Sequence, residues 1–599
     1  MIYVCKFNME VRGWGVVNPI EHNLLPKLKP QKRNLNVRID LYHYTNELYN
    51  ELISLNIIGR MKEIPQLGLI RVKRNLSKSR YDYIVLQLYL HKLIRQNLQG
   101  ELERTYNNKI NPVEFMQDKI KIDKDNRPTI GDLLQLLTIV YNIGHFYNTF
   151  TSSRAVIIYA NENKNFADKL SNSSKDERFQ EIAQKYIEDR NYHRLHLLNS
   201  ILILEKCNQE LKSVKIAKEV LYNYINNENL PTESKMPYIF NIFKKVRDVS
   251  YIAYDLQISN TPFTIDLCNK GSLVLILKEL LSFYNNQLPT EELFKSIGKL
   301  LDDTIYNENS NAICYYQISR KMVRRLDNLQ SYDYYTDLWL NENSILNCKY
   351  SQRKDYSNHS ILKLTFDSKD KHIAKELLDK LEHTNDVRAG YYDRYSGEIT
   401  ILVSIRKNST SKRTVAFRVL KIVIKHLRKL NYFYPSDTRF LLVTKFFLYY
   451  LFSENSVVLK ATVDEKICVL CTRGKNSRIE ELKNILEQGI GTNDERHEVE
   501  FLISCLYDDS KNDISITVPS SILVLEKDKQ GKKICEFDGM IIHPNRDNNQ
   551  IIILEAKNTN KSPSFAKKCL AKNLKKLNFS YAEDSFQIRN YDAMVKINI

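Results

Sequence analysis

Residues 550–558, with the sequence QIIILEAKN, decide the fold of the C-terminal part of the chain. Four consecutive apolar residues lead directly into Glu555, Ala556 and Lys557. A short apolar run of this kind predicts a buried strand. Residues two positions apart on a strand point to the same face. Glu555 and Lys557 should therefore project together from the end of this strand, with Ala556 turned away.

A second carboxylate interrupts the apolar segment that comes before this strand. The segment KICEFDGMIIH (533–543) has apolar residues on both faces, which predicts a central strand. Asp538 breaks the run beside Gly539, and 16 residues separate Asp538 from Glu555. The turn-rich sequence HPNRDNN lies between them, so a hairpin would place the two carboxylates next to each other. Adjacent carboxylates repel each other unless a cation lies between them, and Mg²⁺ or Mn²⁺ would suit such hard oxygen ligands.

The elements around these strands follow a clear order from about residue 475 onward. Two helices come first, RIEELKNILEQGI and DERHEVEFLISCLYD. Three strands follow, DISITVPSSILVLE, KICEFDGMIIH and QIIILEAK. A helix, SFAKKCLAKNLKKL, and a last strand, YDAMVKINI, come next, so that from the second helix onward the predicted order is α-β-β-β-α-β. On that last helix, lysines surround a stripe of leucines, and we assign Lys568 and Lys572 to contacts with a phosphate backbone, which carry no sequence information.

Asp538, the 16-residue gap and Glu555-Ala556-Lys557, in this order of elements, resemble the PD-(D/E)xK nuclease superfamily, to which many restriction endonucleases belong. The resemblance covers residues 475–599 only. It implies that Asp538 and Glu555 are metal ligands, that the Ala556 carbonyl adds a third ligand, and that Lys557 is the catalytic lysine. Phe537 stands where the motif has a proline.

The superfamily often adds a glutamate from the helix that precedes the sheet. Glu498 fits this role, because Phe501, Leu502 and Cys505 follow it at three, four and seven positions. Glu498 should therefore border the buried face of its helix. Glu495 is the alternative. The resemblance implies that Glu498 is a further metal ligand and catalytic residue.

The rest of the chain predicts a multidomain α/β protein with a large helical middle region. Residues 1–125 are mixed α/β and of unknown role, and residues 126–350 are mostly helical. Within that region His193 and His196 have a spacing that permits a metal site, but no acidic partner is evident, and His145 should be packed. Residues 351–470 have the order β-α-β-β-α, which resembles a ferredoxin-like unit. Residues 475–599 form the nuclease-like, restriction-endonuclease-like αβββαβ core.

The composition bounds the partners. Among 599 residues, 89 Lys and Arg against 71 Asp and Glu give a net charge of +18. Such a balance favours an anionic partner, with nucleic acid ahead of a membrane. The most apolar run, 440–452, is too short to span a bilayer. The ten cysteines are scattered, which indicates reduced thiols and a cytoplasmic location. Without a Gly-rich phosphate loop, we expect no ATP motor in this chain.

These patterns predict a metal-dependent endonuclease that hydrolyses nucleic acid, DNA ahead of RNA, in prokaryotic anti-phage defence or restriction. The upstream region would then sense a target or recruit a partner, and an ATPase or sensor subunit and a homo-oligomer are compatible with it. The alternative is a non-catalytic nucleic-acid-binding or scaffold subunit. A third hypothesis gates the nuclease by a signalling ligand bound upstream.

Overall fold

The structure of the chain, a computed structural model, describes most but not all of the sequence. The described residues are 19–25, 35–69, 78–98, 111–122, 126–226, 236–258, 269–281, 289–301, 309–329, 331–348, 361–393, 398–406, 409, 411–430, 438–452, 457–461, 470–473, 476–488, 490, 492–508, 514–519, 522–526, 532–544, 550–557, 562 and 564–599. They divide into two compact units, Met1–Arg353 and Lys354–Ile599. In these ranges the chain is mixed α/β with a large helical region and C-terminal sheets, as the sequence predicts.

The first unit is mainly helical. It opens with an antiparallel pair of strands, β1 (Ile20–Leu25) and β2 (Leu35–Ile39). Its helices are α1 (His43–Ser54), α2 (Ile57–Glu63), α3 (Arg80–Asn97), α4 (Pro112–Gln117), α5 (Ile130–Asn142), α6 (Phe150–Glu162), α7 (Lys164–Ser171), α8 (Glu177–Glu188), α9 (Leu195–Lys206), α10 (Lys212–Ile225), α11 (Met236–Ile258), α12 (Lys270–Leu281), α13 (Pro289–Leu301) and α14 (Asn309–Leu326). A π-helical segment, Tyr334–Leu340, follows them.

Local sequence explains where the longer helices of this unit begin. Ser79 and Asp82 form a reciprocal capping box at the start of α3, and Thr129 and Asp132 do the same at the start of α5. Each pair satisfies backbone N–H groups that a helix end leaves without partners. Among the described residues, none of the helices is both long and apolar enough to cross a membrane.

The second unit begins with a three-stranded sheet and its helices. The elements are β3 (Ile361–Phe366), α15 (Lys371–Glu382), β4 (Val387–Asp393), β5 (Ile399–Ile405) and α16 (Lys412–Leu427), followed by α17 (Thr438–Phe452). The strand order is β3-β5-β4, and both pairings are antiparallel. β3 and β4 are thus parallel, joined through α15, with β5 between them, which is a split β-α-β arrangement. This is the predicted β-α-β-β-α order; in the described residues the sheet has no fourth strand.

The remaining elements of the second unit form two further sheets. They are β6 (Val457–Ala461), β7 (Leu470–Arg473), α18 (Asn476–Glu487), α19 (Asn493–Asp508), β8 (Ile514–Val518), β9 (Ile522–Glu526), β10 (Lys533–Phe537), β11 (Gly539–His543), β12 (Gln550–Glu555), α20 (Ser564–Lys576), β13 (Phe586–Arg589) and β14 (Asp592–Asn598). The six-stranded sheet has the order β13-β14-β12-β11-β8-β7, and the three-stranded sheet has the order β10-β9-β6.

Two strands that the sequence predicts as continuous are each divided between these sheets. The run 513–526 becomes β8 and β9, and the run 533–543 becomes β10 and β11. Pro519 follows β8 and has no N–H to give to a ladder. The pairing between the two runs resumes on the far side of the break, but shifted by one residue, since Met540 pairs with Val518 and Phe537 with Ile522. Asp538 lies at this interruption, which we call the seam.

Helices cover the six-stranded sheet and fix the direction of its side chains. Ile552, Leu554 and Ala556 belong to one buried cluster with apolar residues of α18 and α19. Because side chains alternate along a strand, Glu555 points to the opposite face. The chain returns after α20 as a hairpin, β13-β14, rather than as the single predicted strand, and β14 pairs antiparallel with β12.

Candidate active site

The seam places Asp538 opposite the end of β12. Gly539 pairs with Leu554, and the backbone N–H of Asp538 donates to the carbonyl of Leu554 at 3.1 Å. The ladder therefore brings residue 538 alongside Glu555, the last residue of β12. Interruptions of this type re-aim a side chain away from the regular pleat. The hairpin inferred from the turn-rich connection does bring the two acidic residues next to each other.

The amine of Lys557 joins both carboxylates. Its Nζ donates to Glu555 Oε1 at 2.8 Å, to Asp538 Oδ2 at 3.4 Å and to the Ala556 carbonyl at 2.9 Å. The Ala556 N–H donates to Asp538 Oδ2 at 2.8 Å. Asp538, Glu555, Ala556 and Lys557 thus form one cluster at the end of β12, which we call the carboxylate–lysine cluster.

Burial gives this cluster unusual electrostatics. The side chains of Glu555, Asp538 and Lys557 are 7%, 12% and 25% exposed. Burial, and after it the charge of Asp538, raises the pKa of Glu555 to about 7. Burial also raises the pKa of Asp538, although Lys557 opposes this effect. Burial alone would lower the pKa of Lys557, but Asp538 and Glu555 outweigh it, so the amine keeps its proton. The ammonium thus compensates two carboxyl groups that resist ionisation.

Glu498 lies near the cluster without joining it. It is half-buried on α19, and Phe501, Leu502 and Cys505 are buried, as the sequence predicts. Burial, followed by the charge of Asp538, raises the pKa of Glu498 to about 7, and Lys557 opposes this rise. Within the described residues no hydrogen bond or ion pair joins Glu498 to the cluster. The structure therefore couples Glu498 to Asp538 through charge alone.

Glu495, the alternative glutamate, is engaged at the start of the same helix. Its Oε2 accepts from the Thr492 N–H at 2.9 Å, and its own N–H donates to Thr492 Oγ1 at 3.2 Å. This reciprocal pair is a capping box. Glu495 therefore already has a structural partner, whereas the capping leaves Glu498 available one turn further along.

The lysines assigned to the phosphate backbone lie on the exposed side of α20. Lys568 and Lys572 are exposed, while Leu570, Leu574 and Leu577 are buried, as the predicted stripe requires. Asn573 on the same helix donates to the carbonyl of Glu536 at 3.1 Å, which ties α20 to β10 beside the seam. The helix is thus anchored next to the cluster with both lysines free to face a solvent-borne partner.

Three residues of this region were not predicted from the sequence. Asp592, at the start of β14, is buried; its Oδ1 accepts from the Lys557 N–H at 2.8 Å and lies 2.9 Å from His497 Nε2. Glu536 adds negative charge, because it raises the pKa of Glu498, Asp538 and Glu555. Their neighbourhood depends on strand register and on the seam. In the sequence, the position of Asp592 directly before the last apolar run was the one feature that could have indicated its role.

The donor set of the cluster suits a hard divalent cation. Glu555 Oε2 is buried and has no hydrogen-bond partner among the described residues, so one carboxylate oxygen is still available as a ligand. Asp538, Glu555 and the Ala556 carbonyl offer only oxygen atoms, which Mg²⁺ and Mn²⁺ prefer. In the part of the chain that the structure describes, no three His, Cys, Asp or Glu side chains converge tightly enough to enclose an ion. Two carboxylates and one carbonyl are therefore the set on which a metal would depend.

Comparisons of this chain with known proteins identified no related protein. The chain matches no protein-family model, no curated protein and no solved structure among those compared. The function must therefore be argued from the cluster itself.

Proposed function

We propose that the chain is a metal-dependent endonuclease of the PD-(D/E)xK type that hydrolyses phosphodiester bonds of nucleic acid, with DNA as the first substrate to test. The observation that carries this proposal is the convergence of Asp538, Glu555 and Lys557 at the end of one buried strand. The order α19-β8-β11-β12-α20-β14 supports a restriction-endonuclease-like core. The net charge of +18 supports an anionic substrate.

Asp538 and Glu555 would hold Mg²⁺ or Mn²⁺, with the Ala556 carbonyl as a third oxygen ligand and Glu498 close by. When bound, such an ion polarises a phosphoryl oxygen and lowers the pKa of a bound water. Lys557 Nζ already lies within 3.4 Å of both carboxylates. Its fixed positive charge can orient the attacking water and stabilise negative charge that develops on the phosphate.

Glu498 is suited to hold a proton. Because its pKa is about 7, it exchanges protons near neutral pH, which is the range in which a general acid or base works best. Lys568 and Lys572, exposed on the helix beside the seam, would bind the phosphate backbone irrespective of sequence. A role in anti-phage defence or restriction, in the cytoplasm, is the setting we propose for such an enzyme.

One observation favours a second function, that of a nucleic-acid-binding or scaffold subunit without catalysis. The Lys557 ammonium bonds to Asp538, Glu555 and the Ala556 carbonyl at once. These are the same oxygen atoms that a metal requires, and the lysine satisfies much of their charge. A closed ion cluster of this kind can serve as a buried structural element that fixes the end of β12.

A cleavage assay separates the two functions. Purified full-length protein is incubated with plasmid, single-stranded DNA and RNA, with Mg²⁺, Mn²⁺ or EDTA, and the products are separated on gels. The enzyme predicts cleavage that needs the metal and disappears in Lys557→Ala. Lys483→Ala is the matched control, because Lys483, whose side chain is 39% exposed, also pairs with a glutamate, and pairs near the surface contribute little. Intact substrates under every condition, with binding equal in wild type and Lys557→Ala, would support the scaffold instead.

A further inference from the structure

Asp592 connects the carboxylate–lysine cluster to α19, which is distant from it in sequence. It is the first residue of β14, and it is buried at 5% exposure. Its Oδ1 accepts from the backbone N–H of Lys557 at 2.8 Å. The same oxygen lies 2.9 Å from Nε2 of His497 on α19. His497 directly precedes Glu498 in the chain. The Asp592 carboxylate therefore contacts both Lys557 and the residue next to Glu498.

The backbone of Lys557 needs such a partner because β12 ends before it. The last pair of the ladder between β12 and β14 joins Glu555 to Ala593. Beyond that pair the Lys557 N–H makes no ladder bond within the described ranges, and the Asp592 side chain on the neighbouring strand accepts from it instead. A buried carboxylate is costly unless it is hydrogen-bonded. Asp592 offsets that cost with two contacts, one to Lys557 in the cluster and one to His497 on α19.

A fixed backbone matters for a lysine more than for a short side chain. The ammonium sits at the end of a flexible four-carbon stem, and holding such a side chain in one geometry costs conformational entropy. Lys557 nevertheless reaches three acceptors, Glu555, Asp538 and the Ala556 carbonyl. Holding all three contacts at once requires the backbone at residues 556–557 to keep one conformation. The Asp592 carboxylate and the bond from the Ala556 N–H to Asp538 both restrain the backbone there.

We propose that Asp592 is a positioning residue for the proposed reaction: it fixes the backbone of Lys557 and ties α19, which carries Glu498, to the end of β12. This inference rests on the nuclease function proposed above. In this role Asp592 acts through Lys557 and α19 and not by direct contact with substrate or metal. His497 is the weaker half of the connection, because its ring is 31% exposed, and an exposed pair contributes less than a buried one.

The test compares four full-length proteins in steady-state cleavage: wild type, Asp592→Ala, Asp592→Asn and His497→Ala. Loss of a charged hydrogen bond at Lys557 should lower kcat of Asp592→Ala by roughly 10- to 100-fold. The KM for the nucleic acid should change little, because Asp592 does not contact the substrate. Asp592→Asn keeps a side-chain oxygen that can accept from the Lys557 N–H, so it should recover most of kcat. His497→Ala should lower kcat less than Asp592→Ala does.

A second measurement reads the connection without any cleavage. Hydrogen exchange at the Lys557 amide, followed by mass spectrometry, should be faster in Asp592→Ala than in wild type and should return towards wild type in Asp592→Asn. The amides in the middle of β12 serve as the internal control, since their ladder bonds do not involve Asp592. If Asp592→Ala does not fold, Asp592→Asn and His497→Ala carry the comparison on both readouts.

The outcomes keep this inference separate from the proposed function. A kcat of Asp592→Ala equal to that of wild type overturns the inference. It is also overturned if kcat of Asp592→Asn is as low as that of Asp592→Ala although hydrogen exchange at the Lys557 amide stays as slow as in wild type. If the wild-type protein cleaves no substrate with any metal, the proposed nuclease function is wrong, and the hydrogen-exchange data alone test whether Asp592 positions Lys557. Faster exchange at the Lys557 amide in Asp592→Ala, with the wild-type rate recovered in Asp592→Asn, then supports Asp592 as the residue that restrains the backbone at Lys557. Unchanged exchange in Asp592→Ala overturns the inference.

Discussion

Each of the two compact units buries charged groups, but it does so differently. In the first unit Arg80 is buried and donates to the Gln66 carbonyl, and Asp255 lies close enough to feel its charge. Asp255 Oδ1 has no hydrogen-bond partner among the described residues, and burial raises its pKa to about 8. The rings of His145 and His196 stack at 4.2 Å, and burial holds the pKa of both well below the ordinary range.

Asp255, His145 and His196 in the first unit therefore remain uncharged near pH 7, whereas the buried carboxyl groups of the second unit lie against a charged lysine. Asp255, His145 and His196 are in their neutral forms near pH 7, as groups packed into a helical core must be. The predicted packing of His145 is thus confirmed, and His196 packs against it. In the carboxylate–lysine cluster, by contrast, a cation touches two carboxylates directly. Burial of titratable residues is therefore common to both units, and what distinguishes the second is that unlike charges converge at the end of one strand.

The most direct test of this comparison replaces one buried aspartate in each unit with asparagine. Asp538→Asn removes a proposed metal ligand and should lower the cleavage rate by about 1,000-fold. Asp255→Asn replaces a carboxyl group that is already neutral at pH 7 and should leave the rate within about twofold. Single-turnover cleavage of plasmid measures both. Equal losses in the two variants would show that the two buried clusters do not differ in the way described.

A second test uses the pH dependence of stability. The pKa of Glu555 is about 7 in the folded protein against an ordinary value of 4.5. Between these values the folded state binds more protons than the unfolded chain, so this residue's contribution to stability falls as pH rises. Glu555→Gln cannot ionise, and its amide leaves Lys557 bonded to Asp538. Without metal it should gain up to about 3 kcal/mol over wild type at pH 8 and almost nothing at pH 4.

Urea-dependent hydrogen exchange of the β12 amides at both pH values measures this gain. Glu583→Gln is the control, because Glu583 is an exposed glutamate that also pairs with a lysine, Lys567. It should show no gain at either pH. A loss of stability in Glu555→Gln at pH 8 would mean that the bond to Lys557 outweighs the cost of burying the charge.

A third test separates the two glutamates of α19. Glu498→Ala should lower the cleavage rate by roughly 10-fold or more, because a positioned proton-transfer group is lost, while the helix start stays intact. Glu495→Ala removes half of the capping box and should cost about 1 kcal/mol of stability, with the rate at saturating metal unchanged. Cleavage rates and hydrogen exchange of α19 distinguish these effects. The assignment is wrong if Glu495→Ala is the slower enzyme.

The smallest expected effect concerns the exposed lysines of α20. Lys568→Ala and Lys572→Ala should each weaken nucleic-acid binding a few-fold and reduce the slope of log affinity against log salt by about 1, irrespective of sequence. Fluorescence anisotropy between low and physiological salt measures this slope. Lys483→Ala, on the surface of α18, provides the comparison. Slopes that match wild type would place the substrate elsewhere.

The sequence predicted the parts of this site that depend on local pattern. The apolar run before Glu555 predicted a buried strand, the turn residues after His543 predicted a hairpin, and the two together placed Asp538 beside Glu555. The leucine stripe of α20 and the buried residues after Glu498 followed from helical periodicity in the same way. Each of these features is visible within one or two neighbouring segments.

Features that depend on distant pairing were not predicted. The two long strands were expected to be continuous, because nothing in a run of apolar residues shows that its halves enter different sheets. The antiparallel register between β12 and β14, which brings Asp592 to Lys557, is set by packing across the whole sheet.

One local feature was also not predicted. The spacing of Thr492 and Glu495 matches the capping-box pattern, but Glu495 was not assigned this capping role.

The seam at Asp538 has a consequence for how a newly made chain acquires its chemistry. Phe537 pairs with β9 in one sheet and Gly539 pairs with β12 in the other, so residue 538 takes its final direction only after both pairings have formed. A partly folded protein that lacks either pairing would therefore lack its acidic pair, and the proposed nuclease would gain activity only with the complete fold.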